Sequence, residues 1–90
     1  MPDRAASQMI CFVYVLGSVG AGDRRRTYVG WTTDLERRLE RHNGGKGAKS
    51  TRGREWMLLY AERCGARAEA MRREWHLKRD REFRKALREG

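Results

Sequence analysis

The chain has 90 residues, and 21 Lys and Arg against 12 Asp and Glu give it a formal charge of +9. A chain this short builds one domain with a modest core, burying roughly 60 to 65% of the surface its unfolded form exposes, with no room for a second core. The charge points to a polyanionic partner, because phosphate contacts release counterions and bind without reading sequence, and no stretch approaches the ~18 apolar residues of a membrane span.

Residues 1–8 are polar or small and are expected to be frayed and disordered, leaving residues 9–90 as a single domain. The opening MPDRAASQMI has one Arg and no apolar segment, so a signal peptide is not expected and the chain is read as cytoplasmic. ICFVYVLG, residues 10–17, is an apolar run rich in β-branched and aromatic side chains and closed by glycine. Such a run predicts a strand covered on both faces, the central one of its sheet. GSVGAGDRRR, 17–26, is a turn too long for a tight hairpin, and TYVG, 27–30, is the return strand. From Thr33 the sequence TDLE fits a capping box, with Thr33 as N-cap and Glu36 reaching back to it. Leu35 and Leu39 then form the buried stripe of a helix ending near His42. NGGKGAKSTRGR, 43–54, has four glycines, four basic residues and no periodicity, and reads as a loop. WMLLYAERC, 56–64, is a third strand. A helix over Arg67 to Lys78 is expected to face the core with Ala68, Met71 and Trp75, and a short one near 80–88 with Phe83 and Leu87. Cys11 and Cys64 lie in or beside apolar runs without the paired spacing of a metal knuckle, so both are read as core residues outside any disulfide. The order is β-β-α-β-α-α in one layered α+β domain.

Several of these residues are suited to phosphate chemistry. Arg38 and His42, four apart, project from one side of the first helix at the rim of its apolar stripe. On this helix alone, a solvated cation and a histidine favoured by the helix dipole are the better account of the pair. Tyr14 and Tyr28 place two aromatic hydroxyls on neighbouring strands, and Gly30 removes a side chain where the chain turns into the helix, allowing close backbone approach by a phosphate. Glu74 stands at the border of the apolar face of the second long helix. A carboxylate there suits Mg²⁺, which keeps most of its waters and binds one or two carboxylates plus substrate phosphate. Glu62 and Glu69 compete for that role, and an ion pair with Arg67, Arg73 or Lys78 is the plain alternative. Lys46, Lys49, Arg52 and Arg54 set spaced cations on the glycine-rich backbone, suited to phosphate contacts that position without reading bases. Arg24, Arg25 and Arg26 extend that footprint. In-line attack of water on a phosphodiester needs a base, cations at the developing charge and help for the leaving oxygen. Tyrosine fills the first role provided that nearby positive charge lowers its pKa of about 10.

FVYVL followed by TYVG resembles the paired motifs of the GIY-YIG nuclease superfamily, with Tyr14 and Tyr28 at its tyrosines and Gly30 at its second glycine. The resemblance continues through DLERRLERHN, which brings in Arg38 and His42, and through EAMRREWHLK, which sets Glu74 at the family's metal-binding glutamate. It covers residues 10 to 80 and looks most like the short stand-alone bacterial members. It implies a small three-stranded antiparallel sheet flanked by helices and metal-dependent hydrolysis of DNA at one divalent ion, Mg²⁺ or Mn²⁺, held by Glu74. Tyr14 is implied as the general base, Tyr28 as its orienting partner, Arg38 as the stabiliser of phosphate charge and His42 as an aid to positioning or proton transfer. Phe12 stands where the first motif has glycine, no asparagine follows Glu74, and no appended DNA-recognition domain is seen. The leading expectation is a structure-specific endonuclease of repair or recombination acting on branched, flapped or damaged DNA. The partner is nucleic acid, with DNA ahead of RNA, and targeting by a protein partner is allowed. The alternative is a non-catalytic basic module that only binds nucleic acid.

Overall fold

The computed structural model describes residues 10–19, 26–47, 49–51 and 53–89. Residues 1–8, expected from the sequence to be frayed, and Arg24, Arg25 and Arg52 lie outside these described residues. Strand β1, Cys11–Val19, is the middle strand of one antiparallel sheet, between β2, Thr27–Thr32, and β3, Glu55–Cys64. Its apolar run has the cause read from the sequence, because both of its faces are covered. Cys11, Val13 and Val15 point to one side, Tyr14 and Leu16 to the other, and all five are buried.

Helix α1, Leu35–Asn43, covers the Tyr14 side by packing Leu35 and Leu39 beside Trp56. Helices α2, Arg67–Arg79, and α3, Arg81–Glu89, cover the opposite side through Ala70, Leu77, Phe83 and Leu87. The domain is thus α+β in the order β-β-α-β-α-α, as the sequence predicts. A bulge between Val15 and Leu16 in the β1/β3 register lets β3 serve both layers. It inserts Leu59, so that Trp56 stays under α1 while Leu59 and Tyr60 turn to the α2/α3 side. Cys11 and Cys64 sit opposite each other in that register, buried and outside any disulfide. None of the described helices is long and apolar enough to cross a membrane.

Three expectations change. The cap of α1 is Asp34 instead of Thr33: its Oδ1 accepts from the Arg37 backbone N–H at 3.1 Å, and the residue at the capping-box position is then Arg37. Two adjacent cap-forming side chains fit the pattern equally well, and Thr32 decides between them by accepting from the Asp34 N–H at 3.1 Å, which turns the chain one residue later. On α2 the core-facing residues are Ala70 and Leu77, while Ala68 is exposed and Met71 and Trp75 are 52% and 53% exposed. The larger apolar side chains mark the wrong stripe because Arg79 covers the Trp75 ring from outside, its guanidinium 3.7 Å from the ring centre. The glycine-rich stretch is not a featureless loop, since Lys49–Thr51 forms one 3₁₀ turn.

Candidate functional site

The side chain of Tyr14 leaves the middle strand toward α1 and ends against the last turn of that helix. Its hydroxyl lies 2.9 Å from His42 Nε2, and Arg38 Nε donates to it at 3.3 Å. The opposite ring nitrogen, His42 Nδ1, lies 2.9 Å from Thr51 Oγ1 in the 3₁₀ turn. Tyr28 closes the cluster, its ring centre 4.8 Å from that of His42 and 6.3 Å from that of Tyr14. Tyr14, Tyr28, Arg38 and His42, chosen from the sequence, therefore come together. Thr51 was missed, because a threonine between basic residues in a glycine-rich loop carries no spacing signal.

Two glycines make the packing possible. A Cβ on Gly30 would stand 2.6 Å from the Tyr14 hydroxyl and 3.0 Å from the Tyr28 ring, so this position is bare because the tyrosines occupy its space. That is a steric reason beside the phosphate approach inferred from sequence. Gly47 stands in the same relation to the His42 ring, where an added Cβ would clash with Nδ1. The end of α1 is fixed by Asn43, which accepts from the Trp56 backbone N–H at 2.6 Å and donates to the Trp56 carbonyl at 3.1 Å. Trp56 in turn donates its indole N–H to the Thr51 carbonyl at 2.9 Å. β3 thereby holds both ends of the segment that carries His42 and its partner.

Burial shapes the proton chemistry. His42 is fully buried, and desolvation first, then the charges of Arg38 and Arg41, hold its pKa below the usual histidine value. It is therefore neutral near pH 7. In the tautomer protonated at Nδ1, Tyr14 donates to Nε2 while accepting from Arg38, and Nδ1 donates to Thr51 Oγ1. Tyr14 itself is pushed above its usual value, chiefly by burial, against the lowering effect of its hydrogen bond from Arg38. The lowered tyrosine pKa required by the sequence argument is thus absent. At rest Tyr14 is a phenol with a proton acceptor already attached.

Glu74 occupies the sheet-facing stripe of α2 together with Ala70, Arg73 and Leu77, at helical spacings of three and four. Its carboxylate makes an ion pair with Lys78 at 3.4 Å, and its charge helps to raise the Tyr14 pKa, so its field reaches the cluster. The competing carboxylates have other tasks. Glu62 is gripped by Arg73 at 2.6 and 3.0 Å and by the Tyr60 hydroxyl at 2.7 Å, while Glu69 accepts from the Gly65 N–H at 3.1 Å. Among the described residues no three His, Cys, Asp or Glu side chains cluster as a metal cage. A single hard carboxylate paired only with Lys78 one helical turn on, among the contacts of the described residues, fits a divalent ion that keeps its waters and takes its remaining ligands from a phosphate.

The basic loop is placed in part. Lys46 and Lys49 are exposed, and Arg54 is half-buried with contacts of its own. A cleft of about 380 Å³ lies at the start of α1, lined by Thr32, Thr33, Asp34, Arg37, Arg38 and Arg41. Arg37 and Arg41, which the sequence pattern leaves as surface charge, flank Arg38 there. Their spacing of four marks one helix face, a signal that was legible and unused.

Comparison with known proteins shows the family of the chain. Residues 10–86 match the family described as the GIY-YIG catalytic domain. A UPF0213 protein of Halobacterium salinarum is 50% identical over 52 residues, covering 57% of this chain and 68% of its own. A UPF0213 protein of Streptococcus agalactiae is 56% identical over 48 residues, 52% of this chain and 54% of its own. One from Natronomonas pharaonis is 41% identical over 68 residues, 74% of this chain and 75% of its own. The chain thus spans little more than half the length of some of the curated relatives it matches. No solved structure matches it significantly.

Proposed function

The chain belongs to the GIY-YIG catalytic domain family, a nuclease superfamily, and from that premise we propose that it is a metal-dependent endonuclease cutting DNA, with branched, flapped or damaged DNA as the preferred form. The observation that carries this reading is the relay Arg38–Tyr14–His42–Thr51, a hydrogen-bonded line from the cationic cleft into the core. A protein that only bound nucleic acid would gain nothing from burying a neutral histidine against a tyrosine hydroxyl, because affinity for phosphate rests on exposed cations.

In this reading Arg38 shifts its guanidinium from the Tyr14 oxygen to the scissile phosphate and stabilises the charge that develops there. That movement uncovers the Tyr14 oxygen, which is otherwise occupied and buried. The attacking water gives its proton to the Tyr14 oxygen as the phenolic proton passes to His42 Nε2, so no phenolate is needed at rest. The bond from water oxygen to phosphorus forms, the bond to the leaving oxygen breaks and that oxygen takes a proton from solvent water, while the imidazolium, disfavoured by burial, returns its proton to the Tyr14 oxygen as Tyr14 releases the proton it took from the attacking water to solvent. Tyr28 holds the His42 ring from its other side. Glu74 is the residue that would hold Mg²⁺ or Mn²⁺, and the ion supplies charge neutralisation at the phosphate oxygens. Lys46, Lys49, Arg52 and Arg54 with the backbone at Gly30 serve as phosphate contacts outside the cut.

The experiment is a cleavage panel of labelled duplex, flap and junction DNA with and without Mg²⁺. Cutting that requires the metal, that prefers one branched form and that falls by at least about a hundredfold in Glu74→Gln is the expected outcome. No cutting of any substrate, or equal cutting by the variant, would count against the enzyme and favour the binding module.

A further inference from the structure

On the other side of the sheet a second cleft, about 360 Å³, opens between the start of β2 and α3. Its lining is Arg26, Thr27, Arg81, Arg84, Lys85 and Arg88, five cationic side chains and a hydroxyl with no carboxylate among the described residues. It is separate from the Tyr14 cluster. Strand alternation sets Thr27 on the face of Val29, under α2 and α3, whereas Tyr28 faces α1. Thr27 is three residues from Gly30 along β2, about 10 Å, at the same outer edge of the sheet.

The cleft is organised. Arg84 donates Nε to the Leu77 carbonyl at 3.1 Å, Nη2 to the Lys78 carbonyl at 2.8 Å and Nη1 to Thr27 Oγ1 at 2.9 Å. These bonds lock the end of α2, α3 and the start of β2 around one guanidinium and take three of its five N–H donors. Arg26, Arg81 and Lys85 stand exposed around it. Along α3 the pairs Arg81/Lys85 and Arg84/Arg88 put like charges four residues apart, which weakens a helix. Phe83 and Leu87 meanwhile pack inward from the other face of α3. An arrangement that lowers the helix's own stability while leaving its packing intact is suited to an external anion. From Arg81 to Arg88 the row runs about 10 Å, longer than one phosphate and matched to successive phosphates of a strand.

We propose that this cleft is a second anchoring site for nucleic-acid backbone, holding phosphates that have passed around the β2 edge from the one bound at Arg38. It rests on the nuclease reading and adds a second footprint, on the α3 side, to the substrate path. The contacts position the strand and carry no base preference.

The test measures binding of the full chain to a long duplex across a salt series, with Glu74→Gln as parent so that the substrate stays intact. Arg81→Gln with Lys85→Gln lowers the slope of log K against log salt by about 2, and Lys85→Gln alone by about 1. Affinity falls by roughly tenfold or more at about 0.1 M salt for the pair, with a melting temperature no lower than the parent's, because the substitutions relieve like-charge repulsion along α3. Equal slope and affinity in parent and variants overturns the second site alone. A parent that binds neither DNA nor RNA at low salt overturns the nuclease reading, and the second site with it. Inorganic phosphate or a mononucleotide that stabilises the parent but not the variants, while duplex binding is unaltered, makes this a small-anion site and also overturns the proposal.

Discussion

Gly30 and His42 show how individual residues hold the site. At Gly30 the backbone is ordinary extended strand and the constraint is contact, since any side chain meets the Tyr14 hydroxyl at 2.6 Å. Gly30→Ala is therefore expected to cost about 1–3 kcal/mol through overpacking. Cleavage should fall more than tenfold, read as a lowered melting temperature and a lowered kcat, because Tyr14 must turn away from His42 to make room. The His42 relay sets a pH dependence. Its folded pKa lies below the ordinary 6.5, and in the proposed reaction its neutral form is the proton acceptor. Cleavage should be flat from about pH 7 upward and should decline only as pH falls through that depressed value, below 6.5. The same histidine is neutral in the folded chain while it protonates more readily when unfolded, so its contribution to stability is present above pH 6.5 and is lost as pH falls from there. A rate profile centred above 6.5 would remove His42 from the acceptor role. Of the residues in this cluster, Tyr14, Tyr28, Arg38 and His42 were legible because each belongs to a periodic element. Thr51 and Gly47 were not, because they act through a loop whose path only the packing of Trp56 and Asn43 decides.

The elements themselves were read more completely than their orientation. Three strands, three helices and the middle position of β1 all followed from apolar runs and their period. The phase of α2 did not follow, since Ala70 and Leu77 are a smaller apolar stripe than Ala68, Met71 and Trp75, and the sheet selects by fit and not by bulk. That phase matters for the proposed site, because turning Ala70 and Leu77 inward is what puts Glu74 on the sheet-facing stripe of α2. The cap of α1 gives a sharp test of the corrected boundary. Asp34→Ala should destabilise the chain by about 0.5–2 kcal/mol, and Thr33→Ala should leave its thermal midpoint within experimental scatter. The reverse ranking would restore Thr33 as the cap. Because Arg37 and Arg38 stand three and four residues after Asp34, at the start of α1, a frayed first turn should also weaken the proposed hold on phosphate before it disturbs the Tyr14 to His42 bond.

At the scale of the whole molecule, 90 residues carry a two-sided sheet with one hydrophobic cluster on each face, the Tyr14–His42 pair within one layer and a cationic cleft on each side. Truncation after Asn43 keeps Tyr14, Tyr28, Arg38 and His42 in the sequence but removes β3, α2 and α3. Such a fragment should show no cooperative thermal transition by circular dichroism and no cleavage, since β1 then lacks one neighbour and one entire covering layer. A folded, active fragment would show that the α1 side alone suffices. The sheet order β2-β1-β3 also has a bearing on the protein's own synthesis. The strand that bears Tyr14 is made before either of its sheet partners and gains the second only when residues 55–64 have emerged, so the sheet that supports the Tyr14–His42 pair stays incomplete throughout synthesis of residues 10–54.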